Sequence, residues 1–169
     1  MVVGVLIEGV VTNLISAYAL QVGCSDADKA LFWEQFGVVL RNILLSQGIV
    51  VGGDLNGHVG VKCQEFGRVY GGFGFGSRNA EEEEILRTCA AADLAIMNTF
   101  FQKKSEHLIT YKSGRSTTQI DYFLTRRDNI GKVATCKIIP GESLTAQHRV
   151  LVMDLRVKPR GKYRKQCRR

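Results

Sequence analysis

The amino-acid sequence predicts a mixed, largely antiparallel α/β sandwich of two sheets flanked by helices. Strand-like segments outnumber helical ones, several neighbouring strands are joined by short turns, and no internal repeat is present. A doubly wound parallel sheet would require a crossover between successive strands, which the short turns do not allow. The chain has 169 residues, 45% of them hydrophobic, and these values fit a single globular domain with a sizeable core.

Two strands and a helix are predicted in the first part of the chain. Val2 to Ile7 and Val10 to Tyr18 are rich in Val, Ile and Leu and are separated by Gly9, which predicts two buried strands joined by a turn. Ser25 is placed to cap a following helix that ends at Gly48. The apolar residues at helical spacing are Phe32, Phe36, Val39, Leu40, Ile43 and Leu44.

A short strand, a second helix and further strands follow. The strand is Ile49 to Val51, and a glycine-rich loop from Gly67 to Arg78 precedes a helix from Asn79 to Ala92. Glu81 to Glu84 suit the positive end of that helix better than they suit a metal site. Ser113 to Arg115 predicts a hairpin turn. The remaining predicted strands are Leu94 to Met97, His107 to Lys112, Gln119 to Leu124, Val133 to Ile139 and Arg149 to Val157.

The positive charge of the chain lies at its carboxy-terminal end. The formal net charge is +7, but eight of the 23 Lys and Arg fall in the last stretch, which leaves 15 basic against 16 acidic residues elsewhere. We therefore expect a domain of residues 1–157 and a basic tail of residues 158–169. Such a tail is as typical of non-specific phosphate contact as of a solvated terminus. The eight basic residues are Arg156, Lys158, Arg160, Lys162, Arg164, Lys165, Arg168 and Arg169.

The cysteines and the apolar start of the chain predict an intracellular protein. The five cysteines are odd in number, widely spaced and without a Cys-x-x-Cys pair, a pattern that favours neither a zinc site nor a disulfide framework. The run from Met1 to Leu20 contains Glu8 and Asn13 and has neither a basic start nor a cleavage pattern. We expect a nuclear or cytoplasmic location and no membrane contact.

A few polar residues adjoin predicted strands where chemistry would need them. Asp54 and Asn56 follow a buried strand, Asp121 lies within Gln-Ile-Asp-Tyr-Phe-Leu, and His148 directly precedes the last strand. By themselves, Asp54 and Asn56 in a glycine-rich stretch favour an Asx turn over a site. A single His beside an apolar strand is likewise more often structural than catalytic. The residues alone leave these alternatives open.

Taken together and in this order, the motifs resemble those of the endonuclease/exonuclease/phosphatase superfamily. Ile49 to Gly60 resembles its Gly-Asp-x-Asn motif, and Gln119 to Leu124 resembles its Asp-Tyr motif. Ala146 to Leu151 stands where the superfamily has its terminal Ser-Asp-His signature, and Ser16 to Ala19 resembles its upstream tyrosine motif. The resemblance extends from Val3 to about Leu155 and implies a DNase I-like fold.

Other stretches resemble a narrower group, the endonucleases of RTE-type retrotransposons. They are Asn98 to Phe101, Leu108 to Gly114 and Gln119 to Arg127. This resemblance implies retrotransposon ancestry, Mg²⁺-dependent nicking of DNA by chemistry like that of AP endonucleases, and nucleic acid as the partner.

The resemblance implies a role for each matching residue. His148 would be the general base that takes a proton from the attacking water, and Asp121 would orient its ring. Asn56 and Tyr18 would hydrogen-bond the scissile phosphate, while Asp54 would position the water or serve the leaving group. Mg²⁺ would offset the charge that builds on the phosphate oxygens.

The sequence departs from the superfamily at its metal ligands. Gln147 replaces the carboxylate that directly precedes the terminal His. The superfamily's early Asn and the Glu that holds Mg²⁺ lie upstream of its tyrosine motif, and we expect this chain to begin after them and to lack the first strands. The metal ligands are therefore left unassigned. A partner that covers the exposed sheet edge is also expected.

These departures leave three functions to compare. The first is a Mg²⁺-dependent endonuclease, with activity that is impaired if metal binding is weakened. The second is an inactive nucleic-acid-binding or interaction module derived from such an enzyme. The third, disfavoured by the retrotransposon-like motifs, is a phosphatase that acts on small or lipid-borne phosphates.

Overall fold

The computed structural model describes residues 1–60, 66–76, 81–143 and 145–158. These residues form two α-helices and nine β-strands. The helices are α1 (Asp26–Arg41) and α2 (Glu81–Ala91). The strands are β1 (Val2–Ile7), β2 (Val10–Tyr18), β3 (Gly48–Asp54), β4 (Leu94–Ile96), β5 (Tyr111–Ser113), β6 (Ser116–Thr118), β7 (Asp121–Arg126), β8 (Val133–Ser143) and β9 (Arg149–Leu155). Short 3-10 helices span Met97–Phe100, Ser105–His107 and Arg127–Lys132.

A central sheet of five strands organises the described part of the chain. Its order is β1-β2-β3-β7-β4, with β2 and β3 parallel and the other neighbours antiparallel. The parallel pair is connected through α1, whereas β5–β6 and β8–β9 are antiparallel ribbons. The predicted mixed, largely antiparallel α/β architecture is confirmed.

Two apolar clusters pack against opposite faces of the central sheet. The larger one joins the sheet to α1 and α2, and the smaller one joins it to β8 and β9. Alternation along β7 assigns the faces, because Tyr122 and Leu124 lie in the larger cluster and Phe123 packs against the smaller one. The helices therefore cover one face of the sheet and the β8–β9 ribbon covers the other.

The first helix begins as predicted and ends earlier. The Ser25 hydroxyl accepts a hydrogen bond from the Asp28 backbone N–H at 3.1 Å, which confirms the cap. The predicted end at Gly48 is wrong, since α1 stops at Arg41. The guanidinium of Arg126 donates to the carbonyls of Leu44 at 3.2 Å and Gln47 at 3.0 Å, so the connecting turn is stabilised from β7.

The prediction that the first two strands are buried is wrong. In β1, Val2, Val3 and Leu6 are exposed, and in β2 only Thr12 and Ile15 are buried. The reason is position, because β1 is an edge of the sheet and the helices and β8–β9 pack over the strands further along. An apolar, strand-forming segment does not by itself report whether other elements cover it.

The strand predicted from His107 to Lys112 is also wrong in its first half. Ser105–His107 is a 3-10 helix, and Nδ1 of His107 lies 3.1 Å from the carbonyl oxygen of Ile138 in β8. The predicted hairpin turn is confirmed between β5 and β6, where Gly114 has φ 57°. Asn79, predicted to lead into α2, lies outside the described residues.

Other strand boundaries move by a few residues. β3 extends to Asp54, β4 ends at Ile96 where a 3-10 helix begins, and β9 ends at Leu155. Within the described ranges, no helix combines the length and apolarity needed to cross a bilayer.

Gly53 allows β2 and β3 to approach closely just before the polar end of β3. A Cβ atom at this position would lie 1.8 Å from the carbonyl oxygen of Ala17. The neighbouring Gly52 is crowded as well, since its Cβ would lie 2.8 Å from the Phe123 ring. Small residues here are therefore a packing requirement of the strand that ends at Asp54.

We expect Gly53→Ala to destabilise the fold by about 3 kcal/mol or more, because backbone atoms would have to move to relieve the clash. Gly131→Ala is the control, since a Cβ atom added at Gly131 would meet nothing within 4 Å. Urea unfolding followed by circular dichroism measures both. An equal decrease in the free energy of unfolding in the two variants would contradict the explanation that β2 and β3 approach closely at Gly53.

Candidate functional site

Three of the predicted site residues form one row across adjacent strands. Tyr18 in β2 is the register partner of Asp54 in β3, and Asp54 is the partner of Asp121 in β7. Register partners point to the same face of a sheet. This face is opposite the helices, because Ile49 and Val51, which alternate with Asp54, pack in the helix-side cluster. The structure thus brings the tyrosine and the two carboxylates to one end of one face.

Asn56 lies next to this row in a turn that Asp54 stabilises. The backbone N–H of Asn56 donates to Oδ1 of Asp54 at 2.9 Å, and Asn56 has φ 49°. The Asx turn favoured by these residues is therefore present. Nδ2 of Asn56 donates to the carbonyl of Ala19 at 2.7 Å, which ties the turn to the end of β2.

His148 reaches the row from the start of β9. Its Nδ1 lies 3.2 Å from Oδ2 of Asp121, and its Nε2 lies 4.0 Å from Oδ2 of Asp54. The ring also packs edge-on against Tyr111, with the centroids 4.9 Å apart. A backbone bridge between Tyr111 and His148 connects β5 to this position. The imidazole is therefore held by Asp121 and Tyr111, and its Nε2 faces the Asp54 carboxylate.

The electrostatics of the site centre on Asp54, which is 8% exposed. Burial raises its pKa from the ordinary 3.8 to about 6; the Asn56 N–H lowers the pKa, Asp121 raises it and His148 lowers it. The dominant cause is loss of solvent around the charged form. Asp54 and Asp121 are close to each other and partly shielded from water, so their negative charges repel. A bound cation would reduce this repulsion.

The side chains present fit a divalent metal ion. Asp54, Asp121 and His148 each offer one ligand atom, and these atoms all lie within 4.8 Å of one another. Carboxylate oxygens are the ligands of hard cations such as Mg²⁺ and Mn²⁺, and imidazole is also a metal ligand. The arrangement can hold a cation beside a group able to accept a proton.

Comparison with known proteins gives relatives in sequence and in structure. The chain is 30% identical to craniofacial development protein 2 of Bos taurus over 148 residues, and 29% identical to that of Tragulus javanicus. The match covers 86% of this chain and 25% of each relative, so the chain spans about a quarter of their length. No family model matches the chain.

Several solved structures share the fold. The endonuclease domain of TRAS1, a telomere-specific non-LTR retrotransposon, superposes with a TM-score of 0.62 at 15% identity, covering 94% of this chain and 64% of that domain. An endonuclease/exonuclease/phosphatase family protein from Leptotrichia buccalis gives 0.60 at 16% identity, covering 91% and 52%. This chain has the endonuclease/exonuclease/phosphatase fold. An AP endonuclease from Archaeoglobus fulgidus, at 11% identity, superposes with a TM-score of 0.63 over 92% of this chain and 65% of its own.

Two residues at the endonuclease/exonuclease/phosphatase motifs do not enter the cluster. The Tyr18 side chain is 66% exposed and stands at the solvent end of the row. Gln147, at the position of the superfamily carboxylate, is exposed, and its Nε2 donates to the Ser113 hydroxyl at 3.2 Å. Gln147 therefore contacts the β5–β6 hairpin and adds no charge to the site.

Thr110 supports the site and was not singled out from the sequence. Its buried hydroxyl oxygen accepts hydrogen bonds from the backbone N–H groups of Ile120 at 2.9 Å and Asp121 at 3.0 Å. Its carbonyl accepts from the Arg149 N–H at 2.9 Å. Thr110 thus joins the Asp121 strand to the residue after His148. The available signal was a threonine between Ile109 and Tyr111 in the middle of the predicted strand.

The raised pKa of Asp54 makes a prediction about stability. Because folding favours the protonated acid, Asp54 lowers the free energy of unfolding wherever it must ionise. There is no such penalty below about pH 4, where the carboxyl is protonated in both the folded and the unfolded chain. The penalty grows as the pH rises toward about 6 and is complete above it, at about 3 kcal/mol for a shift of this size. Asp54→Asn removes the charge and keeps an acceptor for the Asn56 N–H.

In chelator, we therefore expect Asp54→Asn to be more stable than wild type by as much as about 3 kcal/mol at about pH 7.5, with the difference vanishing near pH 4. Urea unfolding at several pH values measures this. The exposed Asp128→Asn is the control. A gain for Asp54→Asn that is independent of pH would contradict the assignment.

Proposed function

We propose that this chain is a divalent-metal-dependent endonuclease that nicks DNA by hydrolysing a phosphodiester bond. The observation that carries the proposal is the convergence of Asp54, Asp121 and His148 at the end of one sheet face, within 4.8 Å. The residues come from β3, β7 and the start of β9, which are far apart in sequence. Two carboxylates and an imidazole held together with little exposure to solvent are costly, and such clusters are typical of functional sites.

In this proposal His148 is the general base. Nδ1–H donates to Asp121, which leaves Nε2 free to accept the proton of the attacking water. The Asp121 carboxylate stabilises the imidazolium that results. The edge-on Tyr111 ring restricts rotation of the imidazole, so the acceptor nitrogen stays directed toward Asp54.

Asn56 and Tyr18 are the proposed phosphate contacts. The Asn56 amide nitrogen uses one hydrogen for the Ala19 carbonyl and keeps a second one to donate. Tyr18 is in register with Asp54 and its side chain is largely exposed, so a phosphate bound at this end of the sheet could reach its hydroxyl. Both groups can donate to oxygens on which negative charge develops, and Asp54 positions the water or serves the leaving group.

In this proposal Asp54 and Asp121 would hold Mg²⁺, with His148 adjacent. When bound, a divalent cation neutralises negative charge on the phosphate oxygens and polarises the phosphoryl group. The ion would also relieve the repulsion between the two carboxylates, one of which is nearly buried. Ionised carboxylates are needed for this, so proton and metal compete for Asp54.

The alternative is an inactive nucleic-acid-binding module that keeps this fold. The exposed Gln147 favours it, because the side chain at this position pairs with Ser113 and supplies no metal carboxylate. The basic tail, of which residues 159–169 lie outside the described part of the chain, is the proposed non-specific phosphate contact. An origin in a retrotransposon endonuclease accounts for either function.

Nicking of supercoiled plasmid DNA with Mg²⁺ separates the two functions. We expect His148→Ala to reduce the nicking rate about a hundredfold or more, because general-base catalysis contributes about that much. His107→Gln is the matched control, since His107 contacts the Ile138 carbonyl away from the cluster, and it should retain activity. A chelator should abolish nicking.

Persistent nicking in the chelator or in His148→Ala would contradict the enzyme proposal. DNA binding without nicking, weakened by salt and lost when residues after Val157 are deleted, would favour the module.

Metal affinity should depend on pH because of Asp54. We expect the dissociation constant for Mn²⁺, a calorimetric stand-in for Mg²⁺, to rise about tenfold per pH unit below about pH 6. Isothermal titration at several pH values measures this. Asp54→Asn should bind more weakly and lose most of the pH dependence; an unchanged profile in that variant would show that the metal binds elsewhere.

A further inference from the structure

The buried side chain of Asn98 forms hydrogen bonds with the backbone of β7, the strand that begins at Asp121. It lies in the 3-10 helix that follows β4, and it is only 2% exposed. Its Nδ2 donates to the carbonyl of Asp121 at 3.1 Å, and its Oδ1 accepts from the backbone N–H of Phe123 at 2.9 Å. The Cys136 thiol from β8 also approaches Oδ1, at 3.6 Å. A buried amide thus uses both its ends on one side of β7.

The Asn98 side-chain amide replaces the backbone pairing that β4 would provide if it were longer. β4 pairs with β7 from Leu94 opposite Arg126 to Ile96 opposite Leu124, and it ends there. A longer β4 would continue the ladder by giving a donor to the Asp121 carbonyl and an acceptor to the Phe123 N–H. The Asn98 carboxamide supplies this donor and this acceptor instead, while the main chain turns away into the 3-10 helix.

The Asp121 backbone is consequently bound at both of its polar groups. Asn98 binds its carbonyl, and the Thr110 hydroxyl binds its N–H at 3.0 Å. Asp121 is also the residue whose carboxylate meets Nδ1 of His148. Because Asp121 is the first residue of β7, where a strand has least support, these contacts help to fix where that carboxylate lies.

We propose that Asn98 is a positioning residue, whose side chain extends the β4 ladder and thereby fixes the Asp121 carboxylate against His148. The inference deepens the proposed function because it concerns the same site, but it does not require activity. Without the amide, the end of β7 has an unpaired buried carbonyl and N–H, and it gains freedom. The measurable consequence is a change in the hydrogen bond to His148.

The test follows the tautomer of the His148 ring by ¹⁵N NMR in the full chain, at about pH 8.5, where an ordinary imidazole is neutral. The imidazole signals that disappear in His148→Gln are assigned to the His148 ring. We expect the Nδ1–H tautomer to predominate in wild type, because Asp121 accepts from that nitrogen. In Asn98→Leu, similar in size but without the amide, the ring should shift toward the Nε2–H tautomer.

Thr125→Val is the matched control. Thr125 is also buried on β7, and its hydroxyl donates to the Ile49 carbonyl at 2.9 Å, so its loss costs a similar hydrogen bond away from Asp121. It should leave the His148 tautomer unchanged. If the wild-type chain nicks DNA, Asn98→Leu should slow it about tenfold or more, and Thr125→Val less than about twofold.

A smaller variant, Asn98→Ala, guards against a packing defect in Asn98→Leu and should shift the tautomer in the same direction. A wild-type tautomer in either folded Asn98 variant, or an equal shift in Thr125→Val, would overturn the inference. So would loss of folding in both Asn98 variants while Thr125→Val folds, because Asn98 would then support the whole sheet. Absence of nicking in wild type would count against the proposed function and leave the NMR result decisive for Asn98.

Discussion

The register between β2, β3 and β7 is the constraint on which the site depends. It places Tyr18, Asp54 and Asp121 in one row, and a shift of one residue in β3 would turn Asp54 to the helix-covered face. Packing makes such a shift costly, because Ile49, Val51 and Leu124 fill the helix-side core. The apolar residues of these strands, which have no chemistry of their own, thus determine which polar residues meet.

At the polar end of the sheet, single side-chain groups stabilise the loops through hydrogen bonds. The Asx turn directs the chain away after Asp54, and the buried Tyr122 hydroxyl lies 2.9 Å from the Gly57 carbonyl and 2.6 Å from that of Gln119. The Val59 N–H donates to the same hydroxyl at 3.3 Å. These contacts attach the loop after β3 to the start of β7. Strand ends are otherwise mobile, and here both ends that carry a carboxylate are held by side chains.

The sequence predicted the fold class and most strands, and it named the residues that the structure brings together, for identifiable reasons. Apolar runs and glycine turns report local structure, and the order of the Asp54, Asp121 and His148 motifs resembled a known superfamily. The exposure of Val2 and Leu6 was not predictable in this way, because it depends on which elements cover the sheet. Nor was the contribution of Thr110, since its two hydrogen bonds join segments that only the tertiary fold brings together.

Among the strands of the described residues, β1 pairs on one side only, and this edge has a consequence for how the domain behaves in solution. The strand contains no charged residue and no proline, which are the features that usually prevent another strand from pairing with an edge. Its Val-rich sequence is also nearly the same on both faces, so a strand from another molecule could pair with it in more than one register. Growth by backbone pairing at this edge begins two strands away from Asp54. Precipitation at high concentration would thus reflect the edge and not the chemistry of the cluster, and the yield of a variant is a poor measure of damage to its site.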